Sequence, residues 1–255
     1  AEKDGVRTGG SFGGAFTSNG KGTTVFGTAS AATRQFSLDY AGAWSRADNY
    51  TSGNGRTVKS TGFSSQNHAV QAAYQNDGHL FTLRGTYQDI PRQGFANQRM
   101  DMLGNEGKTL SGTYKGAFHW GQLEANAFWH GTRHYMNFLK DKGGSTPATG
   151  MPMRTDGVDF GYAVKAVVDL GANRKLRIGN EFHGQRLDDW WDPVAGMRTS
   201  MCCNTFWNIR NGQRDRFSSF AEMENRWNPQ WVSTFGIRTD IVHMNTGTVQ
   251  GYSNV

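Results

Sequence analysis

Seven of the nine methionines of this chain stand in or beside polar, Gly-rich segments: Met100, Met102, Met136, Met151, Met153, Met197 and Met201. They come in tight sets, Met100-Asp101-Met102, Met151-Pro152-Met153 and Met201-Cys202-Cys203, and a histidine joins them in His134-Tyr135-Met136. In extended backbone, residues i and i+2 point to the same side. His134 and Met136 can therefore present two ligands to one ion and are the candidate metal ligands. Thioether, thiolate and imidazole are soft or borderline donors that select copper, above all Cu(I). A hard cation would need clustered carboxylates instead. Loop methionines also serve as flexible filler, and two ligands do not complete a site, so the remaining donors must come from elsewhere.

The elements that must hold these residues are strands. Segments of about 10 to 15 residues alternate apolar and polar side chains, the period of a strand with two different faces. At 121–132, Leu123, Ala125, Ala127 and Trp129 oppose Gln122, Glu124, Asn126 and His130. At 79–89, Phe81, Leu83 and Tyr87 oppose Thr82, Arg84, Thr86 and Gln88. The same pattern holds at 34–46, 160–170, 174–186, 215–227 and 231–241. Further strands are expected at roughly 5–17, 21–31, 63–75 and 107–118, about eleven in all. Very short turns (Asn76-Asp77-Gly78, Trp120-Gly121, Gly171-Ala172-Asn173, Asn228-Pro229-Gln230) alternate with long polar loops at about 47–62, 91–106, 138–155 and 189–213. That asymmetry is the mark of a transmembrane β-barrel, with tight periplasmic turns and long outer loops. A soluble β-sandwich would also alternate, but its apolar face would be richer in Val, Ile and Leu. Here that face is thin and aromatic, which suits lipid.

Composition fits this reading. Mean hydropathy is −0.65 and hydrophobic residues make up 36%, and no apolar run is long enough for a membrane helix. A barrel strand shows lipid only every second residue, so its average hydropathy stays low. Sixteen Phe, eight Trp and eight Tyr suit interfacial girdles. The net charge of +6 is scattered along strands and loops with no binding motif beside it, which argues against a nucleic-acid partner. Cys202 and Cys203 are adjacent, so they form no disulfide framework.

Several longer runs are idiosyncratic. Asp89 to Met102 (DIPRQGFANQRMDM), Gly150-Met-Pro-Met153, Leu187-Asp-Asp-Trp-Trp-Asp-Pro193, Thr205-Phe-Trp-Asn-Ile209, Arg214-Asp-Arg216 and Val249-Gln-Gly-Tyr252 resemble the TonB-dependent copper receptors of Gram-negative outer membranes. The likeness extends from about residue 60 to 252 and is weaker before that. It implies an all-β chain forming part of a 22-stranded antiparallel barrel whose lumen is plugged by an N-terminal domain. On this reading residues 1–255 all belong to the barrel, and the plug and the C-terminal strands are absent. The resemblance further implies active copper import, powered by a TonB energising complex that pulls on the plug, in a membrane of lipid and lipopolysaccharide. In that family a Cys-x-x-x-Met pair on the plug joins a His-x-Met pair on the barrel. His134-Tyr135-Met136 matches the second pair; no Cys-x-x-x-Met occurs in this chain, and Cys202-Cys203 does not take its place.

Other readings are weaker. Asp188, Asp189 and Asp192 beside Trp190 and Trp191 suggest paired catalytic carboxylates, but no base or metal motif accompanies them. A solvated aromatic loop at the membrane rim is the better expectation, and the protein is not expected to be an enzyme. Two competing functions share the architecture: a receptor for a siderophore or other metal chelate, and a passive channel or surface-binding protein.

Overall fold

The computed structural model describes residues 5–195 and 204–250. Met197, Met201, Cys202, Cys203 and Tyr252 lie outside the described residues. The described chain forms eleven strands: β1 (Arg7–Thr17), β2 (Gly22–Ala32), β3 (Phe36–Ala47), β4 (Phe63–Asn76), β5 (His79–Gln93), β6 (Asp101–Phe118), β7 (Gly121–Asn137), β8 (Met153–Asp169), β9 (Arg174–Trp191), β10 (Phe206–Arg226) and β11 (Val232–Asn245). Each pairs antiparallel with its neighbours in chain order, giving one open meander sheet.

The strands expected from alternation are all present, but three of the outer loops are shorter than expected. β6 begins at Asp101, β8 at Met153 and β10 at Phe206, while β9 runs on to Trp191. The reason is physical. Alternation marks a strand only where one face meets lipid; above the membrane both faces are wet, and the ladder continues without its sequence period. A spanning strand needs about 9–11 residues, so the 18 residues of β9 and 21 of β10 stand well clear of the bilayer.

One edge of the sheet carries the links 33–35, 77–78, 119–120, 170–173 and 227–231, and the other carries 18–21, 48–62, 94–100 and 138–152, with β9 ending and β10 beginning on that same side. Apart from 18–21, the division into tight and long connections is complete. At the β4–β5 turn Asp77 (φ 45°) and Gly78 (φ 80°) are both left-handed, the geometry a two-residue hairpin needs to match strand twist.

Register shows which side chains share a face. Glu124 faces Lys115 and Lys165, Arg177 faces Glu222, and Glu181 faces Ser218. This polar face carries ion pairs: Arg177 with Glu222 and Glu224, each at 2.7 Å, and Glu181 with Arg216 and Arg238. The opposite face carries Phe12, Leu38, Val70, Phe81, Leu83, Leu110, Trp129, Val164 and Ile237, all exposed. Large apolar side chains lie open along the whole sheet, and apart from Ser218 in the middle of β10 the buried side chains sit in the outer loops and rim. A water-soluble sheet does not leave such a face uncovered; hydrocarbon is the solvent that suits it. Glycine has a specific use on the polar face. Gly13 sits directly opposite Phe26, and Gly179 opposite Phe220, and the rings leave no room for a Cβ.

Leu83 tests this orientation. It is 55% exposed on the apolar face, in mid-strand. Leu83→Arg should impair membrane insertion by about 2–4 kcal/mol, read as loss of the heat-resistant folded band in outer-membrane fractions, whereas Arg at Thr82 on the polar face should be tolerated. Equal tolerance of both would reverse the assignment of faces.

Candidate metal centre

His134 and Met136 lie near the outer end of β7, on the polar face that also bears Glu124, Asn126 and His130. Both stand above Trp129, the last exposed apolar residue of that strand's other face. The sequence thus placed them correctly at a strand end, and the register adds what spacing could not.

Met136 pairs directly with Met102 on β6 and with Met153 on β8. Directly opposed residues share a face with Cβ atoms about 4.5–5.5 Å apart. Three thioethers therefore stand side by side across three adjacent strands, one rung above His134. The rung continues to Gln93 on one side and to Trp191 and Phe206 on the other.

This row depends on two bulges. β6 gains a residue between Met102 and Gly104 relative to β7, and β5 gains one between Asp89 and Arg92 relative to β4. Without the extra residue, strict alternation would send Met102 to the side of Glu106 and Lys108, outside the barrel wall. A one-residue slip moves a side chain to the other face, and here the paired bulges bring Gln93 and Met102 round to the inner one.

The strand start at Met102 is held by a buried polar knot. Asp101 is fully buried, and its carboxylate accepts hydrogen bonds from the Phe95 N–H (2.8 Å), Lys142 Nζ (2.7 Å) and Ser60 Oγ (2.8 Å). Lys142 also donates to the Phe95 carbonyl at 2.8 Å. Three outer loops, 48–62, 94–100 and 138–152, meet on this one side chain. Met102 is itself buried beneath them at 8% exposure.

One rung below the methionines runs a second row, Asn105, His134, Thr155 and Asp189. His134 Nδ1 is 3.1 Å from Asn105 Oδ1. Thr155 Oγ1 donates to Asp189 at 2.6 Å, and Asn208 Nδ2 donates to its other oxygen at 2.5 Å. Burial holds the His134 pKa below its ordinary value, partly offset by the charge of Asp189. The imidazole is thus neutral near pH 7, the form that binds a metal.

The structure separates the remaining expectations. Met100 lies just outside the start of β6, and Met151 is the left-handed residue after the helical turn Pro147–Gly150, so neither joins the row of three. Asp188, Asp189 and Asp192 do not form a catalytic pair: Asp192 binds Arg154 at 2.7 Å, Asp188 accepts from the Asn211 N–H, and Asp189 is held by Thr155 and Asn208. His130 uses both ring nitrogens on Thr109 and Thr132, and His183 faces Asp159. Among the described residues no three His, Cys, Asp or Glu come together; the soft side chains that register puts on one face are three thioethers and one imidazole. Sequence reasoning missed Asp189 and Asn105 as neighbours of His134, since only strand register brings them there.

Solved structures share this architecture. The chain overlays a copper transporter, OprC, with a TM-score of 0.74 at 17% identity, covering 95% of this chain and 38% of that one. The chain shares the fold of these outer-membrane β-barrels. The FrpB iron transporter from Neisseria meningitidis matches with a TM-score of 0.64 at 15% identity, over 96% of this chain and 42% of that one. A mutant ferric enterobactin receptor from Pseudomonas aeruginosa, in complex with enterobactin, matches with a TM-score of 0.62 at 15% identity, over 96% and 42%. The chain thus spans about two-fifths of the length of these TonB-dependent receptor barrels. No protein-family description and no curated protein matches the sequence.

Proposed function

We propose that this chain is part of the wall of a TonB-dependent outer-membrane receptor that captures copper as Cu(I) at its extracellular face and imports it actively. The observation that carries this reading is the row Met102, Met136 and Met153 directly above His134. Three soft sulfurs and one neutral imidazole make a donor set that suits Cu(I) and suits Fe(III), Mg(II) or Ca(II) poorly. Met102 and Met153 supply, from this wall alone, the further ligands that His134 and Met136 lack as a pair. Import would then require the plug and energising complex that accompany such barrels. Around the outside, ion pairs such as Lys108–Glu106 on β6 and Arg186–Asp215 between β9 and β10 stand on the lipid-facing side near the outer rim, where lipopolysaccharide headgroups would meet them.

A receptor for a ferric chelate is the competing reading, since matched structures such as FrpB and the ferric enterobactin receptor are iron-related by name. The deciding experiment is metal analysis of the full-length protein purified from outer membranes. Near-stoichiometric copper after Cu(I) exposure, with no ferric-siderophore retention, supports the proposal. Siderophore retention without copper would replace it.

A further inference from the structure

The amide side chains of the inner face form a directed chain that ends on His134. Asn67 Oδ1 accepts from Gln88 Nε2 at 2.8 Å, Gln88 Oε1 accepts from Asn105 Nδ2 at 3.5 Å, and Asn105 Oδ1 lies 3.1 Å from His134 Nδ1. These residues come from β4, β5, β6 and β7 in turn. The orientation of each amide constrains the next. With its Nδ2 turned to Gln88, Asn105 offers His134 only an acceptor, and the ring must answer with an N–H at Nδ1.

A neutral imidazole carries one proton. Placing it on Nδ1 leaves the lone pair on Nε2, fixes the ring plane and aims the free nitrogen away from β6. Metal-binding histidines are commonly oriented through the N–H of the ring nitrogen that does not bind the metal. We infer that Asn105 is a positioning residue: it locks His134 in the Nδ1–H form so that Nε2 is the copper ligand, and Gln88 and Asn67 lock Asn105. The opposite neighbour on the rung, Thr155, gives its one hydroxyl proton to Asp189 and so has none to donate to Nε2.

This inference rests on the copper reading above, and the test separates the two. Cu(I) affinity is measured by chelator competition on the full-length protein carrying Asn105→Ala, Asn105→Asp or His134→Ala. Asn105→Ala should weaken binding about 10- to 100-fold, and Asn105→Asp, which keeps an acceptor toward Nδ1, should stay within a few-fold of the parent. Selective ¹⁵N-histidine NMR with Ag(I), a spectroscopically tractable stand-in for Cu(I), should place the ion on Nε2 in the parent and lose that preference in Asn105→Ala. Parent-like affinity in Asn105→Ala alongside a damaged His134→Ala would overturn the positioning role and leave the site standing. Parent-like affinity in His134→Ala would remove the site itself.

Discussion

Met136→Ala in the full-length protein should lower Cu(I) affinity by about 100-fold or more. The reference point is that removing a partner outside the ligand shell already costs about 10- to 100-fold, and Met136 is the centre of the row, bonded in register to both Met102 and Met153. Met102→Leu and Met153→Leu should each give a smaller loss, since the remaining sulfurs and His134 still converge. Leucine roughly keeps the volume of methionine, so these variants remove a donor rather than a packing group. Folding should be unaffected, because the row stands above the lipid-exposed band and on the inner face. A His134→Ala/Met136→Ala double variant that still purifies with parental copper stoichiometry would remove the assignment.

Asp101→Ala should collapse the outer loops while leaving the sheet in place. The carboxylate has no contact with water and serves three donors from three separate segments. Its removal strands the Lys142 ammonium and the Phe95 N–H in a covered site. Breaking one partner of a buried pair costs about 3–5 kcal/mol, and Lys142 keeps the Phe95 carbonyl but loses its carboxylate. Hydrogen exchange should show lost protection across 94–100 and 138–152 with β1 to β5 unchanged. Copper affinity should fall as well, since Met102 follows Asp101 directly and lies under the same loops. Unchanged protection would show that the knot is not what orders this rim.

The sequence made the architecture legible because the membrane writes it there. Wherever one face touches lipid, every second side chain must be apolar, and runs such as Leu123 to Trp129 or Phe81 to Tyr87 were therefore readable residue by residue. The same logic explains where reading stopped. Beyond the bilayer the constraint lapses, so the outer halves of β6, β8 and β10 looked like loops. The site was half legible: His134 and Met136 share a strand and an i, i+2 spacing. Met102 was visible as a soft donor but not as their neighbour, because the bulge before Gly104 interrupts the alternation that would have placed it. Asn105 and Asp189 carried no local signal at all; their relation to His134 exists only across hydrogen-bonded strands.

The strands differ greatly in length, from 11 residues in β1 to 21 in β10. The hydrocarbon they cross is equally thick everywhere, so the surplus must rise on the outer side. Ten further residues at about 3.3 Å each, on a strand tilted by about 40°, lift the rim by roughly 25 Å from β1 to β10. The threshold therefore slopes. The methionine row on β6, β7 and β8 stands part-way up that slope, between the low strands and the tallest one.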